Sequence, residues 1–160
     1  MKKQLISQAL ESHLSELVSM SDQIYDFAEP GMEEIQSSRL LTEYLKAKGF
    51  EVECGIAGLP TAFRAVYEQG SGGPSFGFLA EYDAIKDIGH ACGHHIQGPS
   101  VIGAALALCD VCGTEYLCGC PLYGTGMLLR DFPRRRKPCC HEPAQGKECL
   151  RFRTSVFPGH

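Results

Sequence analysis

Four side chains of metal-binding type fall within six positions of this chain: His90, Cys92, His94 and His95. In a locally extended loop, Cys92 and His94 are two residues apart and project to one side, so both can reach a single ion. A thiolate beside an imidazole favours zinc, with ligand distances of about 2.3 Å and about 2.0 to 2.1 Å respectively. Gly89 and Gly93 let the backbone bend tightly around such an ion. Asp83, upstream, is placed to accept a hydrogen bond from a ligating imidazole, which fixes that ring's tautomer. The competing reading is a surface loop with incidental histidines and a buried cysteine, and residue types alone do not separate the two.

The elements before this loop read as α/β. Apolar residues from Gln4 to Ala28 (Leu5, Ile6, Ala9, Leu10, Leu14, Leu17, Val18, Ile24, Tyr25) predict a helix that covers a core with one face. Pro30 and Gly31 stop it. A second helix follows, with Leu40, Leu41, Tyr44 and Leu45 as its stripe, Lys46 and Lys48 near its end, and Gly49 as its cap. Phe50, Val52 and Cys54 alternate with Glu51 and Glu53 as in a half-buried strand, and Thr61 to Glu68 predicts another. Phe76 to Tyr82, almost continuously apolar, predicts a central strand covered on both faces. It delivers Glu81, Tyr82 and Asp83 to the carboxyl edge of a sheet, where open α/β folds gather their sites. Pro99 suits the first turn of a small-residue helix over Ser100 to Leu108.

Beyond Leu108 the sequence changes character. Seven of the nine cysteines lie there, prolines recur, and no period of two or 3.6 persists. The chain therefore divides into 1–108, an ordered α/β part, and 109–160, an irregular Cys/Pro/Arg-rich tail whose abrupt composition fits a shifted reading frame or a mis-spliced exon boundary. A short segment around Leu122 to Leu129 is the regular structure expected there. Cys109 and Cys112 form a CxxC that could build a separate zinc or redox module, although no second CxxC follows at the usual spacing.

With 160 residues, 44% hydrophobic, 21% charged and net charge −4, the chain has enough apolar residues for a core and no basic field for nucleic acid. The basic run Arg134 to Lys137 reads as a solvated patch. No stretch reaches the roughly 18 apolar residues a bilayer span needs, and no apolar signal segment follows the N-terminal lysines. The expectation is a cytoplasmic protein without nucleic-acid or membrane partners.

The stretch FLAEYDAIKDIGHACGHH resembles the signature of the aminoacylase/carboxypeptidase family of two-metal peptidases, in the amidohydrolase branch of aminobenzoyl-glutamate hydrolase, auxin-conjugate hydrolases and dipeptidase-like members. Upstream, EPGMEEIQSSRLLTEYLKAKGFEVE resembles the same branch's turn, paired glutamates and helix ending in Gly-Phe, so the resemblance runs from Leu17 to Leu108. It implies a zinc-peptidase-like sheet flanked by helices, here incomplete and followed by the irregular tail. It also implies Cys92 as the metal-bridging ligand, His94 as a second ligand and Asp83 as the supporting aspartate. Glu81 stands where the wider family often has a ligating histidine and is left unassigned, as are His90 and His95.

The implied reaction is metal-dependent hydrolysis of an amide bond in a small N-acyl amino acid or dipeptide, with zinc, or else manganese, as the ion. Family members dimerise through a lid domain, which has no counterpart in this sequence. The family's paired-glutamate motif, which carries the general base, is also missing: Glu142 and Glu148 are the carboxylates after Asp131, and they are not adjacent. Two ligands and no base predict an inactive chain. The alternatives are a non-catalytic metal-binding or regulatory fragment and the Cys-rich module of the tail.

Overall fold

The computed structural model describes residues 2–69, 76–111 and 122–124, the last as backbone. The chain divides into a unit Met1–Leu128, which holds all of these, and Leu129–His160. Three helices, α1 (Lys2–Phe27), α2 (Ile35–Ala47) and α3 (His94–Val111), pack with strands β1 (Glu51–Cys54), β2 (Phe63–Val66), β3 (Phe78–Ala80) and β4 (Leu122–Gly124). Among the described residues no helix is long and apolar enough to cross a membrane.

The sheet has the order β1-β2-β4-β3. β1 and β2 pair antiparallel from Glu51 with Val66 to Cys54 with Phe63, and β2 and β4 also pair antiparallel. β3 and β4 run parallel, Phe78 opposite Leu122. β4 thus comes from the stretch where a short regular segment was expected, and it separates β2 from β3. Residues 109–111, read from sequence as the start of the irregular stretch, continue α3, and the remainder, including Cys112, Arg134 to Lys137, Glu142 and Glu148, lies outside the described residues.

Two expectations about the strands need correction. β3 is not a central strand: it occupies an edge of the described sheet, and Leu79 is 73% exposed. An apolar run records that a strand tolerates burial on both faces, but not where it stands in the sheet order. Gln69–Ser75, whose three glycines and a proline predict a loop able to join neighbouring strands, connects β2 to β3, which β4 separates in the sheet; 70–75 lie outside the described residues.

α1 packs on α3 and buries Leu17, Met20 and Ile24, whereas Leu5, Ile6, Leu14, Val18 and Tyr25 remain exposed. The apolar set spans too much of the helix circumference for one neighbour to cover. The close α1–α3 approach depends on Gly103, where an added Cβ would lie 2.7 Å from Leu17 Cδ1 and 2.9 Å from Leu10 Cδ1. Leu41 and Leu45 of α2 enter the same core as Phe63, Ala65, Tyr82, Ile102 and Leu106. α2 ends as expected: Lys46 lies in its last turn, and Gly49 follows at φ +89°. Its start is satisfied from a distance, since the Glu29 carboxylate accepts the Gln36 and Ser37 N–H groups, each at 2.8 Å.

α3 begins at His94 rather than near Ser100, so Pro99 lies inside it instead of opening it. The start is fixed by Gly93, whose φ of +77° reverses the chain and whose carbonyl accepts the Ile96 N–H at 3.1 Å. This one shift brings His94 from a loop onto the first position of a helix.

Candidate metal centre

Three elements of sequence meet at the end of β3. The strand passes into Glu81, Tyr82 and Asp83, and the Ala84 N–H donates to the Glu29 carbonyl at 2.7 Å, which holds the segment against the turn before α2. Ile85 and Gly89 then exchange backbone hydrogen bonds of 3.0 and 2.9 Å. The chain doubles back through Asp87 (φ +64°) and Gly89 (φ +88°) and delivers His90, Cys92 and His94 in close succession.

His94 is gripped by two carboxylates. Its Nδ1–H donates to Asp83 Oδ1 at 2.8 Å, and its Nε2 lies 3.2 Å from Glu81 Oε2. The side chains of His94 and Asp83 are each 21% exposed and that of Glu81 is 40% exposed, so the group opens to solvent from a half-buried base. One donor atom from each of Glu81, Asp83 and His94 lies within 4.8 Å of the others, an arrangement able to hold a metal ion.

The donor set fits a divalent cation. With the Nδ1 proton given to Asp83, Nε2 of a neutral ring presents a lone pair to a carboxylate oxygen. Two acceptors at that separation repel unless a cation or a proton lies between them. Donors about 2.0 to 2.2 Å from a shared ion in tetrahedral geometry stand about 3.3 to 3.6 Å apart, just above the observed 3.2 Å. An imidazole and a carboxylate, here His94 and Glu81 with Asp83 on the other ring nitrogen, are ligand types of catalytic zinc sites, and the carboxylate also suits manganese.

The other sequence candidates are distributed around this group. Cys92 is an exposed thiol on the turn before α3 and stands outside the Glu81, Asp83 and His94 cluster. His90 is buried at 8% exposure and points to α1, where its Nε2–H donates to the Ile24 carbonyl at 2.9 Å. Its Nδ1 has no hydrogen-bond partner, nor has that of His95. His95 packs edge-on to Tyr25, with ring centroids 5.0 Å apart, and burial, then His90, hold its pKa below the usual histidine value against the opposing pull of Asp22. Glu81, left unassigned from sequence, is the member of the cluster that residue identity did not select. Its spacing carried the signal: Glu81 and Asp83 are two residues apart at a strand end and share a side, the same reasoning that paired Cys92 with His94.

No family model matches the chain. It is 31% identical over 120 residues to a p-aminobenzoyl-glutamate hydrolase polypeptide of Escherichia coli (strain K12), covering 64% of this chain and 24% of that protein. It is 34% identical over 113 residues to the Xaa-Arg dipeptidase of Homo sapiens, covering 64% of this chain and 26% of the relative. The chain therefore spans about a quarter of the length of these relatives. Its fold matches a crystal structure described as an aminohydrolase from methicillin-resistant Staphylococcus aureus, with TM-score 0.62 at 19% identity over 78% of this chain and 34% of the other. It also matches Bacillus subtilis YXEP, described as a dinuclear metal binding peptidase from the M20 family, with TM-score 0.59 at 20% identity over 71% of this chain and 35% of the other. These similar proteins and folds agree with the resemblance to the aminoacylase/carboxypeptidase family of two-metal peptidases read from the sequence, and the partial coverage fits the N-terminal part of such a catalytic domain.

Proposed function

We propose that the protein acts in metal-dependent hydrolysis of an amide bond in a small N-acyl amino acid or dipeptide, and that this chain supplies part of the metal centre. The observation that carries the reading is His94, whose Nδ1–H is fixed on Asp83 while Nε2 faces Glu81 at 3.2 Å. The hydrolase and dipeptidase names of the similar proteins support the substrate class.

In this reading His94 and Glu81 hold the ion and Asp83 keeps the imidazole oriented with its lone pair outward. Cys92, two residues before His94 on an exposed turn, adds a thiolate donor as its family position implies. A divalent ion held here would supply Lewis acidity to a substrate carbonyl and lower the pKa of water toward about 7. Zinc is the expected ion and manganese the substitute. The paired-glutamate motif that carries the proton-moving carboxylate in the family is not seen in this sequence, so the expectation for this chain is metal binding without turnover.

The test is zinc binding to the full chain, followed by assay of N-acyl amino acids and β-alanyl dipeptides with zinc or manganese added. The expected result is stoichiometric zinc that His94→Ala removes, with no product released. Zinc retained in His94→Ala but lost in Cys109→Ser with Cys112→Ser would transfer the metal to the tail and contradict the reading.

A further inference from the structure

We infer that Tyr82 and Gln97 are positioning residues of the metal-holding group, clamping the Glu81–Asp83 segment from opposite sides. The inference rests on the metal-centre reading above. Glu81 and Asp83 reach His94 on the open side of the strand end, and Tyr82, between them, turns the other way into the core, 1% exposed. Its ring stacks on Phe63 with centroids 6.0 Å apart, and its hydroxyl donates to the Thr61 carbonyl. The Thr61 hydroxyl donates in turn to Glu34 Oε2 at 2.7 Å, and Glu34 is itself 1% exposed. A buried relay thus ties the strand end to the residues before β2 and to the start of α2.

From the other side, the Glu81 N–H donates to Gln97 Oε1 at 3.2 Å. Gln97 stands one turn after His94 on α3, so the backbone that carries one carboxylate is bound to the helix that carries the imidazole. The group draws its donors from two elements, and only their relative placement brings Nε2 and Oε2 together. Both clamps act on that placement, and neither side chain belongs to the donor set.

Cobalt(II) titration of the full chain, followed by its visible absorption spectrum and paired with apo-protein melting, tests this. Tyr82→Phe keeps the ring and removes the donor, and it is expected to weaken cobalt binding about three- to tenfold and to shift the absorption bands. Gln97→Ala, at an exposed position that the fold does not need, is expected to weaken binding roughly threefold with a like shift. Leu45→Ala, a cavity in the core, is expected to lower the melting temperature while affinity and spectrum stay at wild type. Unchanged spectra and affinities within about twofold in both Tyr82→Phe and Gln97→Ala would overturn the inference, as would equal weakening in Leu45→Ala. His94→Ala supplies the reference: cobalt bound there as in wild type sinks the metal-centre reading and this one together. Binding lost in His94→Ala but unmoved in both clamp variants sinks only the clamp.

Discussion

His90 and His94 stand four residues apart, the first in the loop and the second at the start of α3, and they occupy opposite environments. His94 faces the strand end, where two carboxylates engage both ring nitrogens. His90 faces α1, where one nitrogen donates to a main-chain carbonyl and the other has no partner. The first environment suits a cation and the second a neutral ring serving as a core side chain. A dense run of ligand-type residues is therefore two things at once, a candidate metal centre on one side and a helix anchor on the other. The positive-φ glycines at 89 and 93 make the division by turning the chain between them.

Substitutions should separate the two sides. The largest effect is expected at His94: alanine there should lower zinc affinity at least about a hundredfold, since each ligand carries a few kcal/mol of a structural site's binding energy, with modest change in melting temperature. Asp83→Asn should weaken zinc about 10- to 100-fold by releasing the imidazole, as measured against a chromophoric chelator. His90→Leu should do the reverse, leaving zinc affinity unchanged and destabilising the fold by about 0.5 to 1.5 kcal/mol, because the Ile24 carbonyl loses one of its two donors and keeps the Ala28 N–H at 3.2 Å. Denaturant unfolding checks it. Zinc affinity falling as far in His90→Leu as in His94→Ala would erase the distinction.

A smaller effect concerns pH. The folded state holds the His95 pKa down, so below about pH 6.5 the unfolded chain binds more protons than the folded one. Stability contributed by this neutral ring is present above that pH and is lost as pH falls through it. His95→Phe should flatten the acid limb of the metal-free stability curve, by less than the His90→Leu effect. An acid limb unchanged in His95→Phe would show that the ring gains its proton freely.

The parts of the molecule that were legible in the sequence are those set by local pattern. The α1 and α2 helices, the Gly49 cap and the β1 alternation follow from period and termination, which act over a few residues. What was not legible depends on contacts between distant segments. The edge position of β3 depends on β4, which arrives from a stretch lacking a sustained pattern. The extra helical turns of α3 come from one backbone angle at Gly93, and they alter how His94 is presented. Glu81 was passed over because the family resemblance puts a histidine at its place, although its spacing from Asp83 set both carboxylates on one side. The exposed half of α1 was hidden by an apolar set too broad to name a face.

The central claim concerns which atoms hold the ion. Zinc titration of the full chain with extended X-ray absorption at the metal edge, compared between wild type and His94→Ala, reads them directly. The prediction is one tightly held zinc with a shell of nitrogen, oxygen and the Cys92 sulfur that collapses in the variant. A shell of sulfur alone, unchanged in His94→Ala, would contradict the strand-end metal centre.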